Sequence, residues 1–247
     1  METDMKTYLH IDIETLPALY MTQDERQAYA YAHVPKTYKK PESIAKWVRD
    51  NTEEQWRRTS LDPLYGITWM VGVAVNGHDP EVLIGDPDDP GKVLHALSEY
   101  VGMVYERHGA PTWVGKSCRR FDLPWLAQHA LLYGCGSLSA TLMDVLAYPY
   151  DKRVEDVSEL WPSQKRLSLD PMAGWLGVGG KSEGMHGSKV YDAYLAGETQ
   201  KVAEYCLQDV RSTRDVWRRL TGALDGRGVR PKPAPIPEHI AALLETP

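Results

Sequence analysis

The sequence predicts an α/β fold, on three observations. Residues 8–14 of the stretch YLHIDIETLP alternate apolar and polar, which is the period of a half-buried strand. The apolar run ITWMVGVAV meets Asn76-Gly77, a tight-turn pair, and residues 81–85 follow as its antiparallel partner. Val93, Leu94, Leu97, Val101, Val104 and Tyr105 then recur at helical spacing ahead of the short apolar PTWVG, so a β-α-β unit follows the hairpin.

Taken in order, the first strand ends near Glu14 and gives way to a polar stretch rich in Lys and Arg. It reads as an insertion over about 18–64, helical over roughly 21–60. The 67–75 strand and its hairpin partner start the sheet as a meander. The DPDDPG turn introduces the helix over 93–105, and PTWVG is a short buried strand. Helices follow over 123–133, 169–176 with Ser168 as N-cap, 189–195 and 198–220, with Asp144 placed after a loop of small residues between the first two. Residues 221–247 read as a Pro-rich connector and a short apolar C-terminal helix.

Composition bounds the class. The 247 residues are 43% hydrophobic and 25% charged, enough apolar matter for a full core, and the net charge of -6 announces no broadly basic nucleic-acid binder. An acidic balance is still compatible with a nuclease, whose metal site is built from carboxylates. Cys118, Cys135 and Cys206 are odd in number and form no CxxC, which argues against a disulfide framework or a zinc site and fits a reducing cytoplasm. No run approaches about 18 apolar residues, so neither a signal peptide nor a membrane span is expected.

Three acidic motifs carry the chemistry. Asp12 and Glu14 lie two apart on one strand, hence on one face, where bare carboxylates repel each other and a divalent cation would remove the penalty. Asp122 stands just after the PTWVG strand in GKSCRRFDLPWL, and Tyr205 and Asp209 stand four apart on one face of the last long helix. Taken singly, each fits a plainer reading: a solvated strand end, a helix-capping acid, an amphipathic helix.

In this order, DxE on an early strand, FD after a middle strand and YxxxD on a late helix resemble the three motifs of the DnaQ-like (DEDDy) 3'-5' exonucleases. The passage RLSLDPMAGWLGVGGKSEGMHGSKVYDAYLAG resembles that family's helix, LG turn, Lys and Gly-x-x-Val segment. SLDPLYGITWMVGVAV is similar to stand-alone relatives of the exonuclease domain of family-B DNA polymerases. The resemblance spans about Tyr8 to Leu220, which places an exonuclease domain over 1–220. It implies a ribonuclease-H-like fold with a mixed five-stranded sheet flanked by helices, and a bacterial or bacteriophage-like setting.

The same resemblance implies catalytic residues Asp12, Glu14, Asp122, Tyr205 and Asp209, with two Mg²⁺ or Mn²⁺ ions held by the four acids. Asp12 would bridge both ions, Glu14 and Asp209 would complete the first, and Asp122 would hold the second directly or through water. Tyr205 and Glu14 would orient the attacking water, and Thr15, Leu16, Ser117 and Phe121 would meet the terminal nucleotides. Ser117 departs from the family, which commonly carries Asn at that place. The implied reaction is removal of nucleoside 5'-monophosphates from the 3' end of single-stranded DNA. An exoribonuclease with the same site, or a silent nucleic-acid-binding module, stay open as alternatives.

Three further features are weighed beside these. His10 is expected to be a hydrogen-bonded structural residue, and Asp144 a turn acid. In the insertion, Lys36, Lys39, Lys40, Lys46, Arg49, Arg57 and Arg58 alternate with Tyr31, Tyr38, Trp47 and Trp56. That pattern fits either a track for a single strand or a solvated face.

Overall fold

The structure, a computed structural model, describes residues 6–163, 167–179, 184–225 and 228. Five strands form one sheet: β1 (Tyr8–Leu16), β2 (Ile67–Val75), β3 (Glu81–Ile84), β4 (Thr112–Gly115) and β5 (Val154–Asp156). Their order is β3-β2-β1-β4-β5, antiparallel at β1–β2 and β2–β3 and parallel at β1–β4 and β4–β5. The sheet is therefore mixed, with β1 at its centre. Asn76 makes the turn after β2 at a φ of 51°, a left-handed conformation that Asn tolerates better than most side chains.

Helix α1 (Gln23–Ala32) starts at a capping box in which Thr22 and Glu25 satisfy each other's amides. Helix α2 (Pro41–Arg57) opens on Pro41 and runs into a 3-10 turn, Arg58–Leu61. Helix α3 (Gly91–His108) leads from β3 to β4. The expected β-α-β unit is present with a wide crossover: β3 and β4 run parallel with β2 and β1 between them, so α3 carries the chain past both. Next come α4 (Asp122–Leu132), α5 (Gly136–Leu146), α6 (Val157–Leu160), α7 (Leu169–Leu176), α8 (Val190–Leu195) and α9 (Thr199–Leu220). The small-residue stretch ahead of Asp144, expected as a loop, belongs to helix α5. Leu138, Leu142 and Val145 form its buried stripe, at a spacing that the small residues between them hide.

The sheet is covered on both faces, and β2 is accordingly buried along its whole length. Leu9, Ile11 and Ile13 of β1 and Val71, Val73 and Val75 of β2 pack under α3, α4 and α5. On the opposite face, Leu16 and Met70 pack with Val190, Ala193, Val202 and Ala203, and Val114 with Met172, Leu176 and Val216.

The segment between β1 and β2 is tied to the end of β1. Trp56 is 1% exposed and its indole N–H donates to the Ala18 carbonyl at 2.8 Å, while the Ala18 amide donates to Thr59 Oγ1 at 2.8 Å. Trp56 is thus a core residue and is removed from the aromatics that could meet a strand. Part of the positive charge is also spent locally: Lys46 pairs with Asp50, Arg57 with Glu53 and Asp192, and Arg58 with Glu54.

The expected C-terminal helix lies outside the described residues, as does Lys181 of the LG-turn passage. Among the described residues no helix is long and apolar enough to cross a membrane.

Candidate active site

The alternation of β1 sorts its side chains. With Leu9, Ile11 and Ile13 committed to the core under α3–α5, residues His10, Asp12 and Glu14 face α9. Gly72 sits opposite Asp12 on β2, and a Cβ built there would stand 2.8 Å from both Cys206 Sγ and Val210 Cγ2. Only glycine lets α9 lie this close, and that closeness brings the helix onto the acids. The register of β1 against β2 then slips between Glu14 and Thr15, a bulge directly beside the two carboxylates.

Asp122 arrives from the other direction. Strand β4 pairs with β1 only over Tyr8–His10, so the Ile13 amide on that edge has no strand partner. Asp122, in the first turn of α4, accepts that amide through Oδ1 at 3.1 Å. The helix N-terminus also favours its charge. On α9, Tyr205 and Asp209 occupy successive turns of one face, with the Tyr205 hydroxyl directed at the Asp209 carboxylate. Ligand atoms of Asp12, Glu14 and Cys206 all lie within 4.8 Å of one another. Asp12 Oδ2 is buried and has no hydrogen-bond partner among the described residues.

Four carboxylates brought together, Glu14 and Asp122 buried and Asp12 and Asp209 half-buried, disfavour their own ionisation. Burial, then Glu14, Asp122 and Asp209, pushes Asp12 well above the usual range, and burial with Asp209 and Asp122 does the same to Glu14. Burial lifts Asp122 to about 7 and Asp209 to about 6, against the opposing charge of Lys116 near both. Burial and the adjoining carboxylates also raise the Tyr205 phenol and the Cys206 thiol, so both keep their protons.

The loop that presents Asp122 is held by a residue that sequence reading missed. Asp156, 2% exposed, accepts the amides of Ser117 at 2.8 Å, Arg119 at 3.2 Å and Ser158 at 2.8 Å. Ser117 adopts a φ of 59°, where Asn would be at ease and Ser is not, and its hydroxyl meets Ser158 Oγ at 2.9 Å. Cys206 and Lys116 were missed too. They stand beside quoted motif residues, but nothing in their spacing marks them.

The remaining expected residues are placed as follows. Thr15 Oγ1 donates to the Ser60 carbonyl at 2.5 Å, and Leu16 is fully buried, so its side chain belongs to the core and only its backbone is left for a ligand. Phe121 caps α4 half-buried, its ring 5.5 Å from that of Trp125. His10 is not hydrogen-bonded as expected. Its Nδ1 has no partner among the described residues, its ring meets the edge of Trp217 at 5.5 Å, and burial with Arg214 and Arg218 lowers its pKa to about 3. Asp144 is removed from the site: it sits on α5 and pairs with Arg153.

A family model described as a predicted 3'-5' exonuclease related to the exonuclease domain of PolB matches residues 82–231, a span that holds Asp122, Tyr205 and Asp209. No curated protein matches. The solved structure of the family B DNA polymerase from the hyperthermophilic archaeon Pyrobaculum calidifontis is similar at a TM-score of 0.56 and 21% identity. That likeness covers 87% of this chain and 24% of the polymerase chain, and it shows a shared ribonuclease-H-like fold.

Proposed function

This chain belongs to the family of predicted 3'-5' exonucleases related to the PolB exonuclease domain, and on that premise we propose that it trims single-stranded DNA from the 3' end, releasing nucleoside 5'-monophosphates. The observation that carries the reading is the convergence of Asp12, Glu14, Asp122 and Asp209, with Asp12 Oδ2 buried and, among the described residues, unpartnered.

Such a set is costly without cations and suits hard ones. The donors of the four acids are carboxylate oxygens, which suits Mg²⁺ or Mn²⁺. Asp12, Glu14, Asp122 and Asp209 would hold two such ions. When bound, they supply positive charge to the attacking and leaving oxygens of an in-line displacement at phosphorus.

The chain's own groups do the rest. Tyr205 keeps its proton, donates a hydrogen bond to Asp209 and would orient the attacking water by accepting a hydrogen bond from it rather than act as a base, with Glu14 also available to accept from that water. Asp156 holds the 117–119 turn, and with it the approach to Asp122. The Thr15 and Leu16 backbone, Phe121 and the Ser117 turn would meet the terminal nucleotides.

The test is digestion of matched DNA and RNA strands, labelled at the 5' end, with Mg²⁺, with Mn²⁺ and with chelator. A ladder shortening from the 3' end of DNA, abolished by chelator, is expected. Preference for RNA would replace the substrate, and no shortening of either strand would defeat the reading.

A further inference from the structure

Where β1 ends, the chain turns through Tyr20 into α1 and builds a second, aromatic concavity. Tyr20, Tyr29, His33 and Tyr65 line a cavity of about 420 Å³. Tyr29 and Tyr65 meet edge to face at 5.0 Å between ring centroids, and Tyr29 lies 4.3 Å from His33. Tyr20, in contrast, is 63% exposed. Glu25, also on the wall, is tied to Thr22.

Acids act on the lining rings as well, Glu25 and Asp62 on Tyr20 and Asp62 on Tyr29, but the chain that leaves the cavity is basic. The connection from α1 to α2 leaves directly from His33 and carries Lys36, Lys39 and Lys40, all exposed and, among the described residues, without an ion pair. The neighbouring Lys46, Arg57 and Arg58, by comparison, are all paired. Tyr20 follows Glu14 by six residues, so the two are separated by at most about 22 Å of extended chain.

We propose that the Tyr20–Tyr29–Tyr65 pocket is a stacking subsite for a nucleobase of the substrate strand, a few nucleotides upstream of the bond that is cut, with Lys36, Lys39 and Lys40 along the phosphates. It rests on the exonuclease reading and adds a site to it. Three tyrosines and a histidine offer flat faces to any base without selecting among them, and unpaired lysines attract the backbone, which is the combination that holds single strands. The volume accommodates one nucleotide. The short stretch of chain from Glu14 to Tyr20 keeps the cavity within reach of a strand whose 3' end lies at the acids.

The test places 2-aminopurine in turn at each position of a ten-nucleotide DNA strand whose 3'-terminal linkage is a phosphorothioate, and follows its fluorescence on binding in Mg²⁺. Quenching at one upstream position is expected. Tyr20→Ala and Tyr65→Ala should lose that quench and bind about tenfold more weakly, whereas Tyr20→Phe keeps both. The exposure of Tyr20 makes its alanine variant safe for folding, and an unchanged melting temperature verifies it. If the wild-type protein trims plain strands while the quench persists in both alanine variants, the subsite is wrong and the exonuclease reading stands. If it trims no strand, both fall together.

Discussion

Replacing Asp122 by Asn should stabilise the metal-free protein, and the gain should grow as pH rises from about 4 to about 7. The carboxyl is 4% exposed, and its pKa is raised from 3.8 to about 7, foremost by burial. A group whose folded-state pKa is raised favours the fold when protonated. Its contribution is complete below the unfolded value and is lost as pH rises through about 7. A shift from 3.8 to about 7 corresponds to a penalty on the order of 4 kcal/mol on the charged form at pH 8. The neighbouring acids take up protons as Asp122 releases its own, so the net gain expected from Asn is about 2 kcal/mol. For a chain of this size that is about 4–8 °C in Tm. Asn Oδ1 still accepts the Ile13 amide, so no buried donor is orphaned.

The assay is thermal unfolding of both proteins in chelator at pH 5 and pH 8, repeated with Mn²⁺. In chelator the variant should be the more stable at pH 8, with its advantage reduced to less than half at pH 5 and lost only below the unfolded value of 3.8. With Mn²⁺ the order at pH 8 should invert, because the wild-type protein gains more from a ligand that binds only the fold. An Asn variant no more stable than wild type at pH 8 in chelator, or equally stabilised at pH 5, would refute the electrostatic account.

Asp12→Asn and Asp209→Asn should each abolish 3'-end trimming in a gel assay while leaving the metal-free melting temperature unchanged or raised. Tyr205→Phe should lower turnover by a factor on the order of 10² or less, with Mn²⁺ affinity by calorimetry kept, since only an orienting hydroxyl is lost. Gly72→Val must push α9 off the sheet at Cys206 and Val210, so chemical denaturation should show a loss of about 1–3 kcal/mol or more, together with loss of activity. Lys39→Glu with Lys40→Glu should raise KM for long strands and flatten its dependence on salt, because fewer counterions are released from phosphates.

Legibility in the sequence followed locality. The face shared by Asp12 and Glu14 and the four-residue step from Tyr205 to Asp209 are consequences of strand and helix periods, so they could be read without a structure. So could the β2–β3 hairpin, whose Asn76-Gly77 turn is a local signal. Asp156 could not, because its partners Ser117 and Arg119 lie 39 and 37 positions away and its strand is three residues long, too short for alternation. Cys206 faces Asp12 only because Gly72, on another element, makes room. Trp56 looked like one more exposed aromatic in a basic stretch. Its burial depends on Ala18, 38 positions earlier, which composition cannot reveal. Helix α5 was lost to its small residues, and Asp144 was misplaced with it.

The order in which the carboxylates occur along the chain also governs when the protein becomes dangerous. Ile13 and Asp122 meet across 109 positions, and Asp209 comes later still, on α9. At ribosomal rates of about 5–20 residues per second, the strand bearing Asp12 and Glu14 precedes α9 by roughly ten to forty seconds. Through that interval the nascent chain displays two acids with neither Tyr205 nor Asp209 to accompany them. On the proposed function, a stalled or clipped product lacking α9 is inert, and cutting begins only once the late helix settles into the gap left by Gly72. The polypeptide thus carries its own safety interval, written into the sequence order of its parts.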